Sequence, residues 1–251
     1  MMSIKMINSI KGLWRESRTI LLGIGLALML RMFLFEPFNI PSGSMYPTLH
    51  IGDFVLVSKY EYGYSRYSML TSPNLFKGRI FTDTPKRGDV AVFRNPFRTD
   101  IDYVKRVVGL PGDVVQVRKG RLYINGKRVK RKRVEDFNYR LENGREIMVP
   151  QYIETLPDGK TYRILEMAGD QGPLDNTPPF EVKRGHYFMM GDNRDNSVDS
   201  RVGHSVGQVP LENYIGPVQY VFMSFGQESR WYNPISWFTH ANTGRFFIGI
   251  E

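Results

Sequence analysis

Beyond residue 36 the chain consists of short apolar runs separated by turn-forming residues. Such runs occupy residues 54–57, 89–93, 102–108, 186–190 and 217–225. Asn125 and Gly126 separate two further runs, 121–124 and 127–129, and this pair favours a two-residue hairpin turn. The only short helix candidate after residue 36 is 210–214. The sequence therefore predicts a mainly β fold of short strands, arranged as a sandwich or barrel.

Residues 130–180 are more polar than the flanking sequence. They contain a second predicted hairpin, with strands at 152–156 and 161–167 on either side of Pro157, Asp158 and Gly159. We interpret this stretch as an inserted subdomain within one large domain that covers residues 36–251.

An apolar run near the N-terminus covers residues 19–35 and is interrupted only by Arg31. As a helix it would reach about 25 Å, at roughly 1.5 Å per residue, which is the short end of a membrane span. Four basic residues precede it: Lys5, Lys11, Arg15 and Arg18. The positive-inside rule then puts residues 1–18 in the cytoplasm and residues 36–251 on the other side of the membrane.

Two other interpretations of the apolar run remain open. A cleaved signal peptide also has a basic start and a short apolar core, and the run could be a buried helix of a soluble protein. We prefer an uncleaved anchor because Glu36, Pro37 and Phe38 are a poor approach to a cleavage site. A mature protein that begins downstream of Leu49 would contradict the anchor.

The net charge is +9, and the basic residues are densest just after the Asn125-Gly126 turn. That run contains Lys127, Arg128, Lys130, Arg131, Lys132 and Arg133. It fits a solvated hairpin arm, or a segment attracted to anionic lipid. Nucleic-acid binding is disfavoured because no aromatic residues are interleaved for base stacking. The chain has no cysteine, which excludes thiol nucleophiles, thiolate metal sites and disulfides.

Two segments could together supply a nucleophile and its base. Pro41 and Pro47 stiffen the backbone on either side of the Ser42-Gly43-Ser44 segment. Gly43 permits an unusual turn there, which could expose the hydroxyl of the following serine as a nucleophile. The same residues also suit an ordinary surface turn. In the predicted strand 102–108, Lys105 shares a face with Tyr103 and Val107. Burial there would lower the lysine pKa and allow it to act as a base, whereas an edge lysine would keep its amine in water.

A third segment, 191–201, is dense in carboxylates, amides and hydroxyls. An EF-hand calcium loop fails on spacing, because Arg194 and Gly203 occupy positions that need ligands. A polar network behind an active site fits better, with Ser197 bonding an amine and Asp199 pairing with Arg194 or Arg201. A Ser/His/Asp triad of Ser44, His204 and Asp199 is conceivable, but no histidine lies in a local signature.

In their order along the chain, these segments resemble the conserved boxes of bacterial type I signal peptidases, which are serine endopeptidases with a Ser/Lys dyad. The matching motifs are Pro-Ser-Gly-Ser-Met-x-Pro-Thr-Leu, Arg-Gly-Asp-Val-x-Val-Phe, Tyr-x-Lys-Arg-x-x-Gly-Leu-Pro-Gly-Asp and Gly-Asp-Asn-Arg-Asp-Asn-Ser-x-Asp-Ser-Arg. The resemblance covers residues 31–129 and 181–222. It departs at 202–209, where the usual aromatic residues are missing.

The resemblance implies a role for each site residue. Ser44 would be the nucleophile and Lys105 the neutral general base. Ser42 and the backbone N–H of Ser44 would form the oxyanion hole, and Ser197 would orient Lys105. The supporting network would contain Arg194, Asp199 and Arg201. The residues that line the shallow substrate pockets would be Phe38, Ile40, Met45, Val55, Val92, Tyr103 and Val104.

The resemblance also implies a β-rich catalytic domain carried by one N-terminal transmembrane helix in the bacterial inner membrane. The substrates would be exported pre-proteins, cut after small-x-small sites. We expect a monomer that contacts the lipid bilayer and uses no metal, no cofactor and no nucleic acid. An aromatic tail could add to the membrane surface or pack in the core; it contains Trp231, Trp237, Phe238, Phe246 and Phe247. The competing functions are another Ser/Lys peptidase, such as a self-cleaving repressor, and a non-enzymatic anchored β domain.

Overall fold

The computed structural model describes residues 4–69, 72, 76–141, 144–226, 229 and 234–250. Helices α1 (Ile4–Phe33) and α2 (Pro234–Thr239) lie near the two ends of this sequence. The strands are β1 Phe35–Asn39, β2 Asp53–Ser58, β3 Tyr64–Ser65, β4 Arg79–Ile80, β5 Val90–Arg94, β6 Asp102–Gly109, β7 Val114–Arg118, β8 Arg121–Ile124, β9 Lys127–Arg128, β10 Lys130–Arg133, β11 Phe137–Arg140, β12 Glu146–Val149, β13 Gln151–Thr155, β14 Thr161–Leu165, β15 Phe180–Glu181, β16 His186–Met190, β17 Val209–Pro210, β18 Tyr214–Ser224 and β19 Ile248–Gly249.

The largest sheet has eight strands in the order β1-β2-β18-β5-β6-β16-β17, with β19 also paired to β18. A four-stranded sheet has the order β15-β7-β8-β9, and a three-stranded sheet has the order β10-β13-β14. Two small sheets pair β11 with β12 and β3 with β4. Every ladder between these strands is antiparallel. The predicted β-rich fold of antiparallel strands is confirmed.

Both predicted hairpins form. Asn125 and Gly126 have φ values of 53° and 73°, the left-handed conformation that a tight two-residue hairpin turn requires. They connect β8 to β9, where Ile124 pairs with Lys127. In the second hairpin β13 pairs with β14 across the predicted turn. Strands β10 to β14 lie in sheets separate from the largest one, while the limits of the inserted subdomain stay a prediction.

Strand β5 has apolar residues packed on both of its faces. Val90 and Val92 belong to one buried cluster, whereas Ala91 and Phe93 belong to another, as expected for alternating side chains. The neighbouring strand β6 pairs with β5 so that Ala91 faces Lys105. Successive residues of a strand point to opposite faces of the sheet. Lys105 therefore lies on one face of β6 and Arg106 on the other.

The helical predictions agree only in part with the structure. The apolar run 19–35 is helical as far as Phe33, where α1 ends. Within the described residues, no helix is both long and apolar enough to pass through a membrane, so the anchor stays a prediction. The predicted helix at 210–214 is wrong: Leu211–Asn213 forms a single 3₁₀ turn, and β18 begins at Tyr214. The short helix α2 was not predicted.

The aromatic tail is described only in part. Trp231 lies outside the described residues, and so does the side chain of Phe238. The rings of Trp237 and Phe246 pack against Phe225, with centroids 6.2 and 6.4 Å away. Phe247 and Trp237 are exposed. The described part of the tail therefore combines contacts between partly exposed rings with exposed aromatic surface.

Candidate active site

A single 3₁₀ turn, Gly43–Met45, presents Ser44. Gly43 cannot be replaced without movement, because a Cβ atom there would lie 2.7 Å from the Tyr46 ring and 2.9 Å from the Tyr139 hydroxyl. Asn193 holds the turn with two hydrogen bonds. Its backbone N–H donates to the Ser44 carbonyl at 3.1 Å, and its side-chain amide donates to the Gly43 carbonyl at 3.0 Å.

Lys105 reaches the Ser44 hydroxyl from strand β6. Its amine Nζ donates to Ser44 Oγ at 2.7 Å and to the carbonyl oxygen of Val104 at 2.8 Å. Lys105 is 3% exposed, and Nζ lies 5.3 Å from the centre of the Tyr103 ring. Burial lowers the pKa of Lys105 from 10.5 to about 8, although the carboxylates of Asp199 and Asp192 act to raise it. At a pKa of about 8, roughly a tenth of the amine is neutral at pH 7.

Ser42 and Ser44 are close enough for their hydroxyls to interact. The two Oγ atoms are 3.4 Å apart, at the long end of hydrogen-bonding distance. Ser42 has an extended backbone, with φ −131° and ψ 154°, just before the turn begins. Its hydroxyl therefore lies beside the position where a bond to Ser44 Oγ would be made.

A groove of about 480 Å³ opens in front of this pair of side chains. Of the predicted pocket residues, five line its walls: Phe38, Ile40, Val92, Tyr103 and Val104. Met45 and Val55 do not line it. Both are fully buried in the apolar cluster that also holds Ile40 and Val92, so they support the floor of the groove from behind.

The sequence matches known proteins over most of its length. Residues 13–223 match the family described as signal peptidase, peptidase S26. The chain belongs to this family. A signal peptidase I of Rickettsia prowazekii (strain Madrid E) is 42% identical over 225 residues, which cover 87% of this chain and 83% of that protein. A signal peptidase I of Rickettsia bellii (strain OSU 85-389) is 42% identical over 224 residues, which cover 86% and 75%.

A solved signal peptidase I from Enterococcus faecalis is 26% identical, covers 54% of this chain and 97% of its own, and has a TM-score of 0.32. The family match and the Rickettsia relatives identify this chain as a hydrolase of the signal peptidase I type.

In this family member Asp199 is paired with Arg201 behind the lysine. Arg201 Nε and Nη2 donate to the two oxygens of Asp199 at 2.9 and 2.8 Å. The Gly191 backbone N–H donates to the same carboxylate at 3.0 Å. Burial works to raise the pKa of Asp199, but Arg201 and these hydrogen bonds hold it below its usual value. Asp199 is therefore a fixed negative charge near Lys105.

Arg194 is not the partner of Asp199. Its guanidinium forms a buried, bidentate ion pair with Glu154 of β13, and it also donates to the Tyr162 hydroxyl at 3.0 Å. Burial works to lower the pKa of Arg194, but Glu154 and Tyr162 raise it. Arg194 thus connects the active-site loop to the 130–180 segment.

Ser197 lines the groove together with Lys105, but it makes no hydrogen bond to the lysine amine among the contacts of the described residues. Its hydroxyl is buried and helps to hold the pKa of Asp199 low, although it makes no hydrogen bond of good geometry in this part of the chain. It lies close to Gly191, where an added Cβ would come within 2.2 Å of Ser197 Oγ. The predicted direct bond to Lys105 is therefore absent from the described contacts.

Sequence reasoning missed a third buried ion pair, on the other face of β6. Arg106 Nε and Nη2 donate to the two oxygens of Asp192 at 2.9 and 2.8 Å. The Thr48 hydroxyl donates to Asp192 at 2.5 Å, so the pair also joins the segment after Ser44. Two adjacent basic residues in an apolar strand must point to opposite faces, so the sequence did indicate a cation on the second face. Its partner carboxylate could not be identified, because Asp192 lies 86 residues away from Arg106.

A histidine triad finds no support in the described contacts. His204 is exposed, and both oxygens of Asp199 are occupied by Arg201 and by the Gly191 backbone. His50 bonds the Pro47 carbonyl, and burial together with Arg245 lowers its pKa to about 4. Among the described side chains that contact Ser44 Oγ, the Lys105 amine is the one that can act as a base and accept its proton.

Proposed function

We propose that this chain removes N-terminal signal peptides from exported pre-proteins and cuts after small-x-small sites. The observation that carries the proposal is the 2.7 Å contact between Lys105 Nζ and Ser44 Oγ at the floor of a groove. Family membership supports the general activity, and this contact supports a Ser/Lys dyad as its chemistry. Ser44 is the nucleophile, and Lys105 in its neutral form is the general base.

The reaction proceeds through an acyl-enzyme. Lys105 Nζ takes the proton of Ser44 Oγ as that oxygen attacks the carbonyl carbon of the scissile peptide. The C–N bond breaks, and the proton passes from Nζ to the leaving amine of the mature protein. Lys105 then takes a proton from water, whose oxygen attacks the ester, and returns the proton to Ser44 Oγ as the peptide acid leaves.

The oxyanion is stabilised by the Ser42 hydroxyl and the Ser44 backbone N–H. The distance of 3.4 Å between the two serine hydroxyls supports this role, since an atom bonded to Ser44 Oγ would lie within reach of Ser42. Losing one such donor typically costs about 3–4 kcal/mol of transition-state stabilisation. Asp199, braced by Arg201, and Ser197 shape the wall behind Lys105.

Specificity for small side chains comes from shallow apolar walls. Ile40 and Val92 are almost fully buried and leave little depth beneath the groove, while Phe38, Tyr103 and Val104 close its sides. A methyl group fits against such walls without displacing them, whereas a larger side chain would force the packed core beneath to move.

We further propose that α1 anchors the enzyme in the bacterial inner membrane, with residues 1–18 in the cytoplasm and the catalytic domain on the outer side. Between Ile20 and Leu34, most of the large apolar side chains of this segment are exposed, which supports burial in lipid rather than in the domain. An anchored, monomeric enzyme would hold its groove near the plane where signal peptides present their cleavage sites, and so raise the effective concentration.

The test is cleavage of a purified precursor that ends its signal peptide in Ala-x-Ala, with enzyme in detergent. Wild type should cut at that site, and Ser44→Ala and Lys105→Arg should not, because arginine stays protonated. Ser205→Ala and Lys127→Arg are the matched controls and should keep activity. Full activity of Lys105→Arg would refute the dyad. Cutting after large residues as fast as after alanine would refute the specificity.

A further inference from the structure

Three carboxylates converge beside the groove from separate parts of the chain. Glu166 follows β14, Asp175 lies in the loop before β15, and Asp195 lies in the loop after β16. One oxygen from each lies within 4.8 Å of the others. Glu166 and Asp175 are each 1% exposed, and Asp195 is half-buried at the groove wall.

Nearby cations only partly compensate this concentration of negative charge. Arg131 donates to one oxygen of Glu166 at 2.9 Å but also binds Asp170 at 2.6 Å. Backbone N–H groups supply single hydrogen bonds, from Gly172 to Asp175 at 2.6 Å and from Ala168 to Asp195 at 2.7 Å. The other two arginines near the cluster, Arg194 and Arg201, are engaged by Glu154 and Asp199.

An orphaned oxygen provides a second observation that points to a ligand. Glu166 Oε2 is buried and has no hydrogen-bond partner in the described part of the chain. A bound cation would satisfy this oxygen.

We propose that Glu166, Asp175 and Asp195 bind a calcium ion. Oxygen-only ligands select a hard cation. Calcium takes oxygens at about 2.3–2.6 Å, so that ligand atoms within 4.8 Å of each other can share one ion. Magnesium needs shorter bonds, of about 2.1 Å, in a stricter octahedral geometry. Because the three ligands come from separate segments, the spacing test for an EF-hand loop does not apply to this site.

The ion would connect the 130–180 segment to the active-site loop. Asp195 is two residues from Asn193, which binds the carbonyls of Gly43 and Ser44, and two residues from Ser197. Holding Asp195 against Glu166 and Asp175 would therefore restrict the loop that fixes the nucleophile turn. The site acts on stability and does not take part in the cleavage chemistry.

The test is thermal unfolding of the full chain in detergent after treatment with a chelator, with CaCl₂ then added back. At a calcium concentration about 100 times Kd, the expected rise in Tm is roughly 5–10 °C. Asp175→Asn should lose the rise. Asp158→Asn, in the exposed turn between β13 and β14, should keep it. Ser44→Ala should also keep it, so that the result does not depend on the peptidase chemistry.

Two outcomes would overturn the proposal. One is a folded wild type with no rise in Tm and no heat of calcium binding up to about 10 mM, well above the 10⁻⁴–10⁻³ M range of extracellular calcium modules. The other is a rise in Tm that is as large in Asp175→Asn and in Asp195→Asn as in wild type, which would mean that calcium acts as a non-specific salt. Asp195→Asn is half-buried and serves as the ligand variant if Asp175→Asn does not fold. An equal rise with MgCl₂ would overturn the choice of calcium.

Discussion

Replacing Lys105 with methionine should abolish cleavage and yet stabilise the protein at neutral pH. Burial lowers the lysine pKa from 10.5 to about 8, so the folded protein binds this proton more weakly than the unfolded chain. At about 1.4 kcal/mol for each tenfold change, this difference costs the folded state about 3 kcal/mol at pH 7. Methionine has a similar shape and carries no charge, so Lys105→Met removes the cost.

The substitution also removes the hydrogen bonds to Ser44 Oγ and to the Val104 carbonyl, together worth about 2 kcal/mol. The net gain at pH 7 is therefore about 1 kcal/mol, or a rise in Tm of roughly 2–4 °C. The protonation cost is complete below pH 8, falls as pH rises, and is gone above about 10.5. The variant should thus be more stable than wild type at pH 7, equal to it near pH 9, and less stable at pH 10.5 and above.

The assay is thermal unfolding of wild type and Lys105→Met at a series of pH values, in detergent. Lys127→Met is the control, because Lys127 is exposed on the hairpin arm, and its difference from wild type should show no such reversal. A Lys105→Met protein that is less stable than wild type by the same amount at every pH would refute the reasoning. It would mean that the buried lysine carries no desolvation penalty.

Three further results are expected. In steady-state kinetics, kcat/KM should rise about tenfold per pH unit and level off above about pH 8, as Lys105 loses its proton; a flat profile between pH 6 and 8 would exclude it as the base. Asn193→Ala should lower kcat by about 10–100-fold and leave KM within about twofold, because the nucleophile turn loses its side-chain bond at Gly43; an unchanged kcat would show that this bond does not position Ser44. Glu154→Gln should cost about 3–5 kcal/mol and lower Tm by roughly 10 °C, since it leaves the buried Arg194 unpaired; an unchanged Tm would contradict that ion pair.

Local patterns in the sequence were sufficient to predict many of the strands, whereas the pairing of Ser44 with Lys105 was predicted only from the family resemblance. Turn-forming pairs such as Asn125 and Gly126 restrict the backbone directly, so both hairpins could be predicted. The alternation around Lys105 gave its face on β6 for the same reason. These features depend on neighbouring residues and need no knowledge of distant contacts.

Contacts between distant segments could not be predicted in the same way. Whether Asp199 would pair with Arg194 or Arg201 depended on Glu154, which lies in a segment that the family resemblance leaves out. The positions of Met45 and Val55 behind the groove, rather than in its wall, depend on which residues pack in front of them. The place of β18 between β2 and β5 is likewise set by packing across the whole sheet.

The pairing of β5 with β6 has a consequence for the fidelity of folding. Ala91 pairs with Lys105 and Val90 pairs with Arg106, so two adjacent cations point in opposite directions. A slip of one residue would exchange their faces. It would bring a guanidinium that never loses its proton to Ser44, and it would bring the titratable amine to Asp192. A misregistered molecule could thus keep its strands and still be inert, because the alignment of the strands decides whether the lysine or the arginine meets the serine.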